Sequence, residues 1–411
     1  MRRGDVLRPK VLSGIAAVGA AMMLAVGLAP MVGASTRSPS SGVTLKALGK
    51  KVKTLETLPP FKGIPYYGGL LKNAAHLKGE KVMVVPGDSE LQACTEMGKA
   101  AASLFSAAGM KPTVFSTKGS VTTLTTAAND AISEGYKAIL YECDFSATEI
   151  VPEIARAEKA GLKVVGWGST LKADKVAHLD GSLNTTLGLV ARNGVEQAVY
   201  EHHGKPFQSI IIESKAVGTS PPATAALLTE LRTLCPRCTH TVITAEVTTW
   251  FTTLSSAVES ALLRAPKATV IFDEFTGELT GVLAGVKGVH RTKTVKTYMG
   301  YGGGTAYLVD QSKGVGHTVV AGQIEEGVVW CGYEDVIQTA RVLLGLPALP
   351  VVKFTGPRRL LTPQNVASVL KYGGFGTVFV NQFRKMLGLK PLSGAALLKA
   401  ATLTGALTPK S

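Results

Sequence analysis

Residues 122–167 read TTLTTAANDAISEGYKAILYECDFSATEIVPEIARAEKAGLKVVGW. Helix-spaced runs alternate here with short, unbroken apolar runs. Val121–Ser133 predicts a helix closed by Gly135, and KAILY a strand. Thr148–Ala160 predicts a second helix closed by Gly161, and LKVVG a second strand. A glycine just past a helix supplies the left-handed residue that ends it. The strands are apolar at consecutive positions, as strands covered on both faces are. A helix between strands at this spacing makes a right-handed crossover and a parallel sheet.

The same rhythm extends both ways. Upstream come KVMVV from Lys81, a helix over Leu91–Ala108 closed by Gly109, and TVF. Around Val176–Asp180 the pattern resets. It then runs through a helix over Leu187–Tyr200, SIIIES, a helix over Ala223–Leu234, TVIT and a helix over Leu254–Leu263. TVIFDE, a helix over Leu279–Val286, TVKTYMGY, a short helix, HTVVAG and a helix over Val336–Leu344 complete it. The predicted fold class is α/β, with two doubly wound parallel-sheet lobes. The chain's 411 residues suit two domains of about 150 residues each.

The N-terminus reads as a secretory signal. Arg2, Arg3, Arg8 and Lys10 precede an apolar run from Val11 to Met31, and Val32-Gly33-Ala34 ends it in small residues. Cleavage is expected near Ala34, which places the protein in the cell envelope or outside the cell. An uncleaved anchor is the lesser reading, since the run is long enough to span a bilayer. Residues 35–79 are rich in Ser, Thr, Pro, Gly and Lys and read as a flexible linker and extended arm.

The net charge is +15, but the basic residues are scattered, so a nucleic-acid partner is not expected. Of the five cysteines, Cys235 and Cys238 are the obvious local disulfide. Redox use of this C-x-x-C is disfavoured because it follows a helix instead of opening one. Zinc binding with His240 lacks a second ligand pair. Cys94, Cys143 and Cys331 cannot all pair with one another.

Several stretches together resemble the type I periplasmic binding proteins, the ribose- and galactose-type solute receptors of ABC importers. They are residues 122–167, AHLDGSLNTTLGLVARNGVEQAV, SALLRAPKATVIFDEFTGELTGVLAGVK and VVAGQIEEGVVWCGYEDVIQTARVLLG. The Pro-rich arm, CPRC and RLLTPQNV resemble the branch common in actinobacteria. The resemblance covers about residues 80–370. It implies two lobes joined by a three-stranded hinge, with lobe 1 at 80–179 plus 325–352 and lobe 2 at 180–324 plus 353–370. It also implies a small-molecule ligand, a permease partner, a monomer and no cofactor. Residues 371–411 extend past the usual end of the family. Within them GAALLKAATLTGAL reads as a weak amphipathic helix that packs on a lobe, touches the membrane or binds a partner.

In open α/β sheets, ligands lie beyond the carboxyl ends of the strands. The candidate ligand residues are therefore Asp88, Ser89, Glu90, Glu142, Asp144, Trp167 and Ser169 in lobe 1. Thr219, Trp250, Phe251, Asp273, Glu274 and Tyr301 are those in lobe 2, and Glu326 lies at a crossover. Asp88 and Ser89 also suit helix N-caps, and Trp250 and Phe251 equally suit a core cap. The Asp-Arg clamp expected for a sugar is replaced by Trp167-Gly168. The expected ligand is accordingly more apolar, aromatic or cationic than a simple hexose. No nucleophile or metal motif argues for an enzyme. The alternative function is an exported sensor, or orphan binding protein, that presents ligand to a membrane signalling partner.

Overall fold

The computed structural model describes residues 43–57, 69–89, 91–143, 150–166, 182–215, 217–302, 305–349, 358–371 and 377–402. The expected signal segment lies outside them. The first described element, α1 (Leu45–Glu56), corrects the reading of residues 35–79 as linker and arm. Thr44 caps it, its Oγ1 accepting from Ala47 N at 3.2 Å. Leu45, Leu48, Val52 and Leu55 recur at helical spacing, but five interleaved lysines and threonines mask the stripe.

The first sheet holds β1 (Lys81–Pro86), β2 (Lys111–Val114), β3 (Ala138–Glu142) and β4 (Lys163–Gly166). Their order is β2-β1-β3-β4, and every pair is parallel. α2 (Gln92–Ala107), α3 (Val121–Ser133) and α4 (Val151–Lys159) connect them. Both faces are covered, which is why the strands read as unbroken apolar runs. Met83, Val85, Ile139 and Val164 join one buried cluster, with Leu124 and Ile154. Val82, Val84, Leu140 and Val165 join another, with Met97 and Phe105. Gly135 and Gly161 have φ of 69° and 89°, the left-handed exits expected of them.

α5 (Ser182–Glu201) leads into the second sheet. Its strands are β5 (Gln208–Glu213), β6 (Thr239–Thr244), β7 (Ala268–Asp273), β8 (Lys296–Met299), β9 (Val320–Glu326) and β10 (Arg358–Leu361). α6 (Ser220–Leu234), α7 (Leu254–Arg264), α8 (Leu279–Gly288), α9 (Thr305–Gln311) and α10 (Val315–Val319) lie between them. The order is β10-β9-β8-β7-β5-β6, so β6-β5-β7-β8 repeats the winding of the first sheet. The sheet is not wholly parallel: β10 runs antiparallel to β9 at the edge. His317 and Thr318, expected in a strand, belong to α10.

The chain leaves the second sheet at Glu326. After Gly327, α11 (Val328–Leu343) packs against α2, β3 and β4 of the first. It starts eight residues before the predicted Val336. The other two expected hinge crossings fall on residues outside those described. After α12 (Val366–Lys371), the extension forms α13 (Val378–Met386) and α14 (Gly394–Thr402), which pack on α11. The Trp330 ring stacks on Phe379 at 5.0 Å and meets Phe383 edge-on at 6.0 Å. Tyr333 Oη donates to Ala400 O at 3.1 Å, and Leu71 N donates to Met386 O at 2.8 Å. The tail therefore covers a lobe. Cys235 and Cys238 form the expected bridge. A second bridge joins Cys94 to Cys143, while buried Cys331 lies in neither.

Candidate functional site

With this winding, the strand order reverses beside β1 in the first sheet and beside β5 in the second. Ligands of such sheets bind at the carboxyl ends of the strands there. In the first lobe those ends carry Asp88, Ser89 and Glu142. Asp88 and Ser89 do not cap α2, whose N-cap is Leu91 without a side-chain bond. Instead they bind the end of β1 to the loop after β2. Asp88 and Lys118 pair through their backbones in an isolated antiparallel bridge, and Ser89 Oγ accepts from Thr117 N at 2.9 Å. Gly87 N donates to Glu142 O at 2.6 Å. A β-carbon at Gly87 would stand 1.9 Å from the Cys143 carbonyl oxygen, so only glycine fits this approach.

Glu142 is fully buried at the last position of β3, and neither carboxylate oxygen makes a hydrogen bond. Burial raises its pKa well above the ordinary carboxylate range. The neighbouring Cys143 has φ of 58°, and its bridge to Cys94 ties this loop to the start of α2.

In the second lobe, Asp273 and Glu274 end β7 and are fully buried. Asp273 accepts from Thr297 Oγ1 and, at 2.9 Å, from Gln323 Nε2. Glu274 accepts from the Ser220 and Thr224 hydroxyls. Burial outweighs these donors and pushes both pKa values up to about 8. Glu278, missed in the sequence, is buried beside them. Burial, then Glu274 and Asp273, raise its pKa well above normal. Its place one turn past the strand, in a stretch otherwise read as the start of a helix, gave no signal. Thr219 is 1% exposed, and its hydroxyl, like that of buried Thr276, makes no hydrogen bond.

Trp250 settles on the core side of its two readings. It is 1% exposed and stacks on Phe275 at 5.4 Å. Its Nε1 donates to Ser214 Oγ and Ala245 O, both at 3.1 Å. Phe251 is half exposed on the adjoining turn, and Tyr301 is buried behind Thr276, whose N donates to Tyr301 O at 3.0 Å. Glu90, Asp144, Trp167 and Ser169 lie outside the described residues, as does the side chain of Glu326. The two sets of tips meet. A β-carbon placed on Gly277, in the turn after β7, would stand 3.3 Å from Leu91 Cδ2 in the turn after β1 and 2.8 Å from the Trp250 ring.

No protein-family model matches the sequence, and no curated protein shows significant sequence similarity to it. Solved structures do match. The 5-methylthioribose transporter solute-binding protein of Thermotoga lettingae aligns over 79% of this chain and 98% of its own, with a TM-score of 0.59 at 14% identity. An Agrobacterium vitis ABC-transporter solute-binding protein bound to α-D-tagatopyranose aligns over 71% and 98%, with a TM-score of 0.60 at 18% identity. A sugar ABC transporter protein of Yersinia enterocolitica aligns over 74% and 89%, with a TM-score of 0.61 at 15% identity. The fold is thus that of the type I periplasmic binding proteins.

Proposed function

We propose that this chain is an exported solute-binding receptor, not an enzyme, which hands a small solute to the permease of an ABC importer. One observation carries the reading. Among the buried polar groups without hydrogen-bond partners, some lie at the strand tips of each lobe: the Glu142 carboxylate in one, the Thr219 and Thr276 hydroxyls in the other. Buried groups left unpaired are costly, and a solute that binds them removes the cost. Hinge closure brings the two sets together around it.

The solute this suits carries several hydroxyls or an amine, since carboxylates and hydroxyls dominate the tips. The structural neighbours are bound to sugars such as α-D-tagatopyranose, which agrees with the hydroxylated option. The aromatic part of the expectation loses Trp250 to the core and now rests on Trp167, Phe251 and Tyr301. The domain division read from the sequence goes with this proposal: each lobe contributes one wall of the cleft.

A thermal-shift screen of pentoses, hexoses, polyols and small amines tests the reading. At least one class should raise the melting temperature, and Glu142→Gln should remove most of that shift while leaving the unliganded protein folded. No shift from any class, or a shift indifferent to Glu142→Gln, defeats it.

A further inference from the structure

The opposite end of the first lobe carries a second feature. Each of its strands is introduced by Gly-x-Lys: GEK at 79–81, GMK at 109–111, GYK at 135–137 and GLK at 161–163. The topology brings these lysines to the amino ends of neighbouring strands, with Lys163 one residue out of step, in register with Ala138. Lys81 pairs with Lys111 in register, Lys137 N donates to Lys81 O, and Lys163 N donates to Lys137 O, the last two at 2.9 Å. Neighbouring strands are about 4.8 Å apart, so the row packs four cations along one sheet edge. Lys81 is engaged by Glu134 and lies over the Tyr136 ring. Among the described residues, Lys137 and Lys163 form no ion pair.

A groove of about 810 Å³ opens where the row meets the end of α11. Lys137, Lys163, Lys72 and Arg341 line it, and Glu80 is its one carboxylate. Leucines make up most of its remaining wall, with Asn73, His76 and Gly161. Leu70 and Leu346 are among the few large apolar side chains in the described residues left exposed, at 61% and 37%, and both face this groove. A polar anion alone would give those leucines nothing to bury against. A neutral apolar partner would leave these four cations with Glu80 as the one opposite charge among the lining residues.

We propose that this groove binds the headgroup and upper acyl region of an anionic lipid, so that the receptor rests base-down on an acidic membrane surface. Cations attract the headgroup while the leucines enter the apolar boundary. The groove lies at the amino ends of β1, β3 and β4, and the solute cleft at their carboxyl ends, so contact with lipid leaves the cleft free. The inference does not depend on the solute proposal.

The test is the melting temperature of the full chain, titrated with monomeric dihexanoylphosphatidylglycerol, with dihexanoylphosphatidylcholine and with inorganic phosphate. The phosphatidylglycerol should give a saturable rise well above the other two. Each lysine neutralised among Lys72, Lys137 and Lys163 should weaken binding about fivefold, the equivalent of about 1 kcal/mol per charge at a membrane surface. Leu70→Ser, at an exposed position that folding tolerates, should weaken it as well. Equal shifts with phosphatidylcholine would overturn the proposal, and so would lysine variants that bind unchanged. A full response to inorganic phosphate alone, or indifference to Leu70→Ser, would make this a simple anion site and overturn the lipid assignment.

Discussion

Asp273 and Glu274 show how far burial governs chemistry at the strand tips of the second lobe. Each receives two side-chain hydrogen bonds that favour the carboxylate, yet each has its pKa raised to about 8. In the unfolded chain both titrate near the usual carboxylate value of about 4. Between these values the folded state binds more protons than the unfolded state, so stability falls as pH rises. Their contribution is complete below pH ~4 and is lost as pH rises through about 8. Glu142 and Glu278 are raised in the same direction. The unliganded protein should therefore melt at a higher temperature at pH 5 than at pH 8, and Asp273→Asn with Glu274→Gln should flatten that slope. A melting temperature that climbs from pH 5 to pH 8 would contradict it. The residue types at these tips were legible in the sequence, because a strand end in an α/β fold announces where its side chains go. Their partners were not: Thr297, Gln323, Ser220 and Thr224 reach the acids from other elements, at separations of 24 to 54 residues.

At the scale of elements, the strand–helix rhythm from Lys81 onward could be read because each strand is covered on both faces. Two other parts of the chain lack that signature. α1 hides its apolar stripe among lysines, and its docking on α5 comes from tertiary contact: Lys51 meets Glu196 at 2.5 Å, and Tyr200 packs on Gly49. The tail is apolar but gave no hint of its partner, because α11 is an amphipathic helix only until α13 and α14 cover its outer face. Phe383 is the centre of that contact, fully buried and edge-on to both Trp330 and Tyr333. Phe383→Ala should cost about 3–5 kcal/mol in chemical denaturation, the range for a buried aromatic truncated in a packed core. A loss under about 1 kcal/mol would mean that the tail only rests on the surface and adds little to the lobe.

The whole molecule turns on how its two lobes meet. Their windings repeat, and that repetition was visible in the sequence as a rhythm run twice. The contact between the tips was not visible, since Leu91 and Gly277 are far apart in the chain and neither is unusual for a turn. Leu91 is 6% exposed and reaches towards Gly277 and the Trp250 ring, so a first-lobe side chain is buried against a second-lobe surface. In the receptor proposed above, that burial would favour a closed over an open form by about 1–2 kcal/mol, which changes the ratio of the two roughly tenfold. A ligand shifts the same equilibrium only by binding the closed form better. Leu91→Ala should therefore enlarge the radius of gyration of the unliganded protein in small-angle X-ray scattering. It should weaken solute affinity about as much as it depopulates the closed form, because the side chain belongs to the closure contact and not to the polar tips. Saturating solute should restore the compact value. If the variant scatters like the parent protein without solute, the Leu91 contact does not hold the lobes together, and closure must rest on the hinge and the solute alone.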